Sequence, residues 1–393
     1  MATRIQKIHI HNYRALADAK VDLGPINVFF GPNGSGKSTL LDTLWFLHDC
    51  VTRGVDTAAA HRGQGVGLLF DGAPAADQTL HVIVSTESQR YGLALDLSSG
   101  RIGPFPAEAL ISFAQDNELF RRRTGAESVE FLERGTIVES HPLRDPTKVA
   151  LNLYLDFKPE DAETAKLDRL LRRVRLYHSR SFDLQRLKTL GAKASTGTVL
   201  SSGGDNAWSV LRNLRDRGRD SRYSTILQLM SEAFPGFEEI EFEQTGLTSV
   251  YAQFYEKQRR KAIPASSMSD GHLQLLLVLT ALFGDEPHTA SVILLDEPEV
   301  SLHPWALAVL ANAVKIAAGE TWNRQVLLAT HSPVLISQFE PHEIFASEST
   351  DGQTKLRRVS EIDGIDDLLE QYAAGSLYMA EMLGAQTKPE AAE

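Results

Sequence analysis

The sequence predicts an α/β protein with a mixed, mostly parallel central sheet that is interrupted by a long insertion. Three observations predict it. The apolar stretch "INVFF", residues 26–30, runs into the glycine-rich "GPNGSGKS" and then into helix-spaced leucines. Two later apolar stretches, "VILLD" (292–296) and "QVLLAT" (325–330), also end on polar residues. About 260 residues separate the first stretch from the other two, so one sheet unit encloses an insert of roughly 200 residues. Ligands of open α/β sheets collect outside the carboxyl ends of strands, which is where these polar residues fall.

The elements follow in order. Ile5, Ile8 and Ile10, then Val21 and Leu23, mark two short N-terminal strands, and Gly24-Pro25 turns the chain into "INVFF". From Ser38 to Val51 the spacing is helical, through Leu40, Leu41, Leu44, Phe46 and Leu47. After a glycine-rich patch, "LHVIVST" and "YGLALDL" read as a hairpin or meander. Residues 105–148 are mixed and charged, and "VALNLYLDF" alternates like another strand. Helices are expected over 159–175 and 205–217, separated by the loop "GAKASTGTVLSSGG". Helical "YSTILQLMSEAF" and strand-like "EIEFEQ" and "SVYAQFYEK" follow. The last third reads as helix 271–283, strand 292–295, helix 305–317 and strand 326–329.

This pattern suggests an N-terminal lobe over 1–100 with the glycine-rich loop and a β-meander. An insert with a helical lobe covers 101–265, the second part of the core 266–345, and a C-terminal strand/helix extension 346–393. There is no internal repeat, and no heptad run long enough for a coiled-coil arm.

At 42% hydrophobic and 23% charged residues the composition is that of a globular protein rather than a disordered or membrane one. The longest apolar run, Leu273–Phe283, is broken by Gln274 and Thr280 and is too short to span a bilayer. The N-terminus has no signal-type apolar region, and the single Cys50 fits a reducing cytoplasm, so a cytoplasmic location is expected. The net charge of −11 argues against a uniformly basic nucleic-acid binder. Yet residues 165–222 hold fourteen Lys/Arg against five Asp/Glu, which suits either localised contact with DNA phosphates or a solvated face with internal ion pairs.

Gly31 to Ser38 match G-x-x-x-x-G-K-[ST] between a strand and a helix. Such a loop turns backbone N–H groups toward phosphate; Lys37 adds a point charge and Ser38 a hydroxyl for Mg²⁺. Asp296 and Glu297 leave the end of a second strand, one suited to Mg²⁺ and the other to deprotonating an attacking water. His331, just past a third strand, is placed as a γ-phosphate sensor or water-orienting group. In "SMSDGHLQLLLVL", Ser269 and Gly271 head an apolar helix. They form either a plain N-cap or a second anion-binding helix end that closes over nucleotide from another subunit.

Together "GPNGSGKST", "SMSDGHLQLL", "ILLDEPEVSLHP" and "LLATHSPVLIS" resemble the ABC-type ATPases, specifically their RecF/SMC/OLD-like branch of P-loop NTPases. "IHIHNYRALADAKVDLGPINVFF" is similar to the opening of that branch. The resemblance implies a cytoplasmic ATPase that forms a head-to-tail homodimer, or a larger assembly, on ATP. Within the loop Gly31, Asn33, Gly34, Ser35, Gly36, Lys37, Ser38 and Thr39 would hold the nucleotide, and Ser38 with Asp296 would hold Mg²⁺. Glu297 would be the general base and His331 the switch histidine. Ser269 and Gly271 would contact the partner subunit's nucleotide, Ser301-Leu302-His303 would form an interface loop, and Arg14 would reach nucleotide or interface.

The chain departs from that pattern in three respects. "VRLYHSRSFDLQ" stands where the family has a glutamine-bearing loop, with Gln185 late in it; there is no coiled-coil arm; and there is no room for a Toprim nuclease domain after His331. Nuclease or toxin activity would therefore belong to another chain. The implied settings are DNA repair and anti-phage defence. The alternatives are an ATP-loaded scaffold that sequesters an effector with little turnover and, less well matched, a transporter's ATP-binding subunit.

Overall fold

In the computed structural model, residues 3–383 are described except 99, 104, 146, 218–220, 246–247, 366–367, 369–371 and 381. In chain order the first half contains β1 (Lys7–Tyr13), β2 (Leu16–Asp22), β3 (Ile26–Phe30), α1 (Lys37–Arg53), α2 (Val55–Ala60) and α3 (Gln64–Leu68). There follow β4 (Thr79–Ser85), β5 (Gln89–Asp96), β6 (Ala107–Ser112), β7 (Asn117–Arg122), β8 (Ser128–Glu133), β9 (Thr136–Pro142), α4 (Ala150–Phe157) and α5 (Ala162–Arg172). The middle continues with β10 (Val174–His178), α6 (Leu184–Thr189), β11 (Ala192–Lys193), α7 (Ala207–Asp216), α8 (Ser221–Ala233), β12 (Phe237–Thr245), β13 (Ser249–Glu256) and β14 (Ile263–Pro264). The last third holds α9 (Asp270–Phe283), β15 (Ser291–Asp296), α10 (Pro304–Ala318), β16 (Arg324–Thr330), α11 (Pro333–Ile336), β17 (Ile344–Thr350), β18 (Gln353–Arg358) and α12 (Ala374–Met379).

The core sheet has the order β10-β15-β16-β3-β17-β18, parallel except for the final β17–β18 pair. Strands from both ends of the chain thus share one sheet, and β3 lies between two strands from the last third. Because successive strand residues face opposite sides, each central strand feeds two cores. Phe29, Val292, Leu294, Leu327 and Ala329 pack with α1, α5 and the N-terminal strands. Val28, Phe30, Ile293, Leu295, Val326 and Leu328 pack with α9, α10 and the helical lobe. Residues 273–283 of α9 are buried all round, as a helix apolar on every side must be. The buried Arg324 guanidinium donates to the carbonyls of Leu282, Asp285, Glu286 and Thr289 and so fixes the C-terminal end of α9 beside β16.

A second, eight-stranded antiparallel sheet runs β2-β1-β4-β5-β6-β7-β8-β9. It continues across residue 100 through the β5–β6 pairing, so a lobe boundary there divides one sheet. Residues 105–148, read as mixed and charged, supply its last four strands. A small third sheet joins β11, β13, β12 and β14 beside the helices of the insert.

Two sequence expectations are corrected. "VALNLYLDF" is the helix α4 and not a strand: Ala150, Leu151 and Tyr154 are its buried residues, a helical spacing that overrides the alternation of leucines. The helix expected over 159–175 stops at Arg172, and Val174–His178 turns into the edge strand of the core sheet.

Candidate active site

Register brings the predicted residues together. In the parallel ladder His178 pairs with Asp296, Asp296 with Ala329, and Ala329 with Phe29. Four strands therefore end at one level, and Gly31 to Ser38, Glu297 and His331 lie just beyond them.

The phosphate loop is shaped by packing from the C-terminal hairpin. Ser347 Oγ donates to Ser35 O at 2.6 Å. A Cβ at Gly31 would collide with the Ser347 carbonyl, and one at Gly36 with the Thr354 side chain. Gly36, at φ 89°, is the N-cap of α1 and offers no capping side chain, so the first-turn N–H donors remain available to an anion. Lys37 Nζ donates to the carbonyls of Gly31 at 2.9 Å and Pro32 at 2.8 Å. Burial, only partly offset by Asp296, Glu297 and Glu299, pushes its pKa down to about 8.

Ser38 Oγ donates to Asp296 Oδ1 at 3.0 Å. Asp296 is 4% exposed, and burial raises its pKa above the usual carboxylate range. Among the described residues its ion-pair neighbour is His178, whose Nε2 lies 3.7 Å from Oδ2. A buried carboxylate beside a serine hydroxyl, with no lysine or arginine in ion-pair contact among the described residues, fits a hard divalent cation. Mg²⁺ usually takes one or two protein oxygens and keeps the rest of its shell for phosphate and water. No group of three or more His, Cys, Asp or Glu among the described residues is placed to hold a metal by itself.

Glu297 sits at φ 51°, a left-handed conformation costly for a residue with a side chain. Its N–H donates to Ala329 O at 2.9 Å. His331 Nε2 lies 3.4 Å from Glu297 Oε1, and Arg180 Nε donates to Oε2 at 2.6 Å. Glu299 fixes the histidine's backbone: its Oε1 accepts from His331 N at 2.8 Å and from Thr330 Oγ1 at 2.7 Å.

Ser269 and Gly271 belong to a different neighbourhood. Ser269 is the exposed N-cap of α9 and accepts from His272 N at 3.4 Å; its hydroxyl also meets His272 Nδ1 at 2.6 Å. Gly271 packs on the loop Ser301-Leu302-His303, where a Cβ would stand 2.5 Å from Ser301 O. His303 caps α10. Arg14 is bound to α1 instead of projecting, with Nη1 2.9 Å from Asp42 Oδ2 and Nε donating to Gly67 O at 3.1 Å. Asn33 is exposed at the tip of the loop, and Thr39 O accepts from Thr43 inside α1. Cys50 is buried, and burial raises its thiol pKa, as a structural cysteine requires.

Sequence reasoning missed His178, Arg180, Glu299, Ser347 and Thr354. The signal for the first two was the short alternation "VRLYH" directly after a helix; the others had none, because tertiary packing alone brings them here. In the basic run 165–222 many cations meet acids: Lys166–Glu163, Arg172–Asp168, Lys188–Asp270, Lys193–Asp205, Arg215–Asp216 and Arg217–Glu286. Residues 218–220 of that run lie outside the described residues.

The profile of the family described as "AAA domain, putative AbiEii toxin, Type IV TA system" matches residues 26–337. The Old nuclease of Escherichia phage P2 is 20% identical over 388 residues, covering 92% of this chain and 62% of that protein. The DNA replication and repair protein RecF of Psychromonas ingrahamii is 46% identical over 44 residues, which is 11% of this chain and 12% of RecF. The DNA double-strand break repair Rad50 ATPase of Halobacterium salinarum is 40% identical over 67 residues, 14% and 8% of the two chains. The chain thus spans at most 62% of the length of these relatives. Among solved structures, an SMC head bound to the C-winged helix domain of ScpA superposes with a TM-score of 0.49 at 13% identity, covering 90% of this chain and 97% of that one. No helix among the described residues is long and apolar enough to cross a membrane. With the matched span running from the strand before the phosphate loop to beyond His331, the chain belongs to this AAA domain family, in the RecF/SMC/OLD-like branch of ABC-type ATPases.

Proposed function

We propose that the chain is an ATP-hydrolysing switch that closes into a head-to-tail homodimer on ATP and controls a nuclease or toxin partner in DNA repair or anti-phage defence. The observation that carries this reading is the common level of the strand ends, which sets Ser38 on Asp296 and His331 beside Glu297.

In this reading the N–H groups of Gly34 to Thr39 and the Lys37 ammonium bind the phosphates of ATP. Ser38 and Asp296 hold Mg²⁺, which when bound neutralises charge developing on the phosphates. Glu297 accepts the proton of the attacking water, and His331 orients that carboxylate and the terminal phosphate. Ser269 and Gly271 act on the nucleotide of a second copy: with Ser269 exposed at the head of α9, they offer a helix N-terminus to an anion from outside the subunit. A nuclease partner is suggested by the Old relative's name, and a repair setting by RecF and Rad50.

Glu297→Gln should keep ATP binding, trap the dimer and lower turnover by roughly 10²–10⁴-fold; wild-type turnover in that variant would remove the base assignment. Ser269→Arg should leave ATP binding to the monomer intact and prevent closure, read by ATP-dependent mass in solution. Persistence of the dimer would sink the role of α9.

One observation favours the second reading, an ATP-loaded scaffold with little turnover. Both carboxylate oxygens of Glu297 are engaged, Oε2 by Arg180 Nε at 2.6 Å and Oε1 by His331 Nε2 at 3.4 Å, which leaves neither free to take a proton from water. Arg180→Ala should then raise turnover, and an unchanged or lower rate would count against this reading.

A further inference from the structure

A second cavity, of about 560 Å³, lies along the free edge of the core sheet and is not lined by the phosphate loop. Among the described residues β10 pairs only with β15, so its other edge is open. The outward face of α1 supplies one wall with Trp45, His48 and Arg53; Arg172 at the end of α5 and Arg175 on β10 supply the other, with Ser202 at the rim. Trp45 and His48, three apart and so on one helix face, stack with ring centroids 4.5 Å apart and planes 12° apart, so the imidazole backs one face of the indole.

Among the described residues, three guanidinium groups line the cavity and no carboxylate does. The nearby acids are already engaged. Asp49 meets Arg62 at 2.9 Å and Arg53 at 3.6 Å, and Asp168 accepts from Arg172 Nε at 2.8 and 3.0 Å. Arg175 donates only to carbonyls among the described residues, those of Arg172 at 2.7 Å and Val174 at 3.0 Å, so its charge has no ionic partner there. His48 Nδ1 pairs with Leu171 O at 2.9 Å. Burial first, with the charges of Arg175 and Arg53 adding to it, holds that imidazole below its ordinary pKa, so it contributes a neutral ring and not a fourth cation.

We propose that this cavity binds a nucleotide unit, its phosphate among Arg53, Arg172 and Arg175 and its base against the Trp45 ring. Phosphate favours planar guanidinium forks, and any base can stack on an indole. The proposal narrows the basic run 165–222 to its two members that face a pocket, and it does not depend on ATP turnover. The unit could come from a nucleic-acid strand or from a free nucleotide, and the test separates the two sources.

Trp45 itself is the reporter. Trp208 and Trp322 are buried, and Trp305→Phe removes the exposed indole. In the full chain carrying that change, Trp45 fluorescence is titrated with a single strand of about ten nucleotides. AMP is titrated separately with Lys37→Ala added, so that the phosphate loop does not contribute. Saturable quenching by the strand alone identifies a polymer, by AMP alone a free nucleotide, and by both a unit recognised in either form. The charge reversal Arg53→Glu/Arg175→Glu should abolish the quench while a fluorescent ATP analogue still binds the phosphate loop. For a strand, the slope of log affinity against log salt should flatten by about 0.7 for each phosphate no longer neutralised. If that double variant fails to fold, Arg175→Gln replaces it, with an expected weakening of roughly fivefold. Trp45→Ala, read by anisotropy of a labelled strand or nucleotide, should weaken binding about tenfold. The proposal is overturned if neither probe quenches Trp45, or if quenching survives removal of the arginine charges.

Discussion

The antiparallel sheet and the core sheet each bury a carboxylate, and the two are treated differently. Glu108 on β6 is 3% exposed, pairs with the buried Arg122, accepts from Tyr91 Oη at 2.8 Å, and takes the Ala150 N–H at 2.8 Å on both oxygens. Asp296 on β15 is about as buried but has a serine hydroxyl at 3.0 Å and a histidine at 3.7 Å. Burial pushes both pKa values up. At Glu108 the compensation is fuller, a guanidinium and two hydrogen-bond donors, and the network serves to start α4 against the sheet. At Asp296 it is incomplete, and that deficit sits where four strands end. A buried charge that the chain pairs closely serves architecture; one with a serine and a histidine as its nearest partners has room for a cation.

Stability measurements should separate the two most strongly. Glu108→Ala strands the Arg122 charge and should cost about 3–5 kcal/mol in urea unfolding. Asp296→Asn keeps a partner for Ser38 and removes the uncompensated charge. It should leave stability within about 1 kcal/mol of the parent while Mg²⁺-dependent ATP turnover collapses. Equal destabilisation by the two changes would break the comparison.

The cation of the same site gives a smaller, pH-dependent effect. Lys37 has a pKa of about 8 when free, and bound phosphate must raise it, so ATP binding takes up a proton above pH 8. Affinity should be nearly flat below pH 8 and fall by about tenfold per unit well above it. The sign for folding is the opposite. The unfolded lysine holds its proton up to its ordinary pKa of 10.5, so this group favours the folded chain increasingly as pH rises from 8 toward 10.5. Calorimetric titration at pH 7, 8 and 9 checks the first part, and constant affinity would show that Lys37 is fully compensated. The smallest effect is expected at the exposed helix end: Ser269→Ala removes an N-cap and should cost about 1 kcal/mol in thermal unfolding. A larger stability loss there would make Ser269 an architectural residue.

Much of this site is legible in the chain because its parts are contiguous. Gly31–Ser38 and Asp296-Glu297 each put the chemistry within a few residues of a strand end, and one apolar run suffices to place them. His178 was hidden because only Arg173 separates α5 from β10, so a five-residue strand merges with the preceding helical pattern. Glu299 was readable as an acid but not as the anchor of His331, since that role follows from the β15–β16 register. The α4 error has a related cause: alternating leucines satisfy a strand pattern locally, and only the Glu108–Ala150 contact and burial of Tyr154 decide for a helix.

The hairpin β17–β18 has a consequence for the order in which the protein comes into being. Ser347 supports the carbonyl of Ser35 from 312 residues downstream, and Thr354 closes on Gly36. At ~5–20 residues per second, a ribosome spends tens of seconds between making the phosphate loop and making its support. During that interval the nascent chain carries a recognisable nucleotide motif without the wall that shapes it. The loop therefore acquires its supporting wall late in synthesis, after the helical lobe and β15 and β16 have emerged, so an abandoned translation product would carry the motif without its final shape.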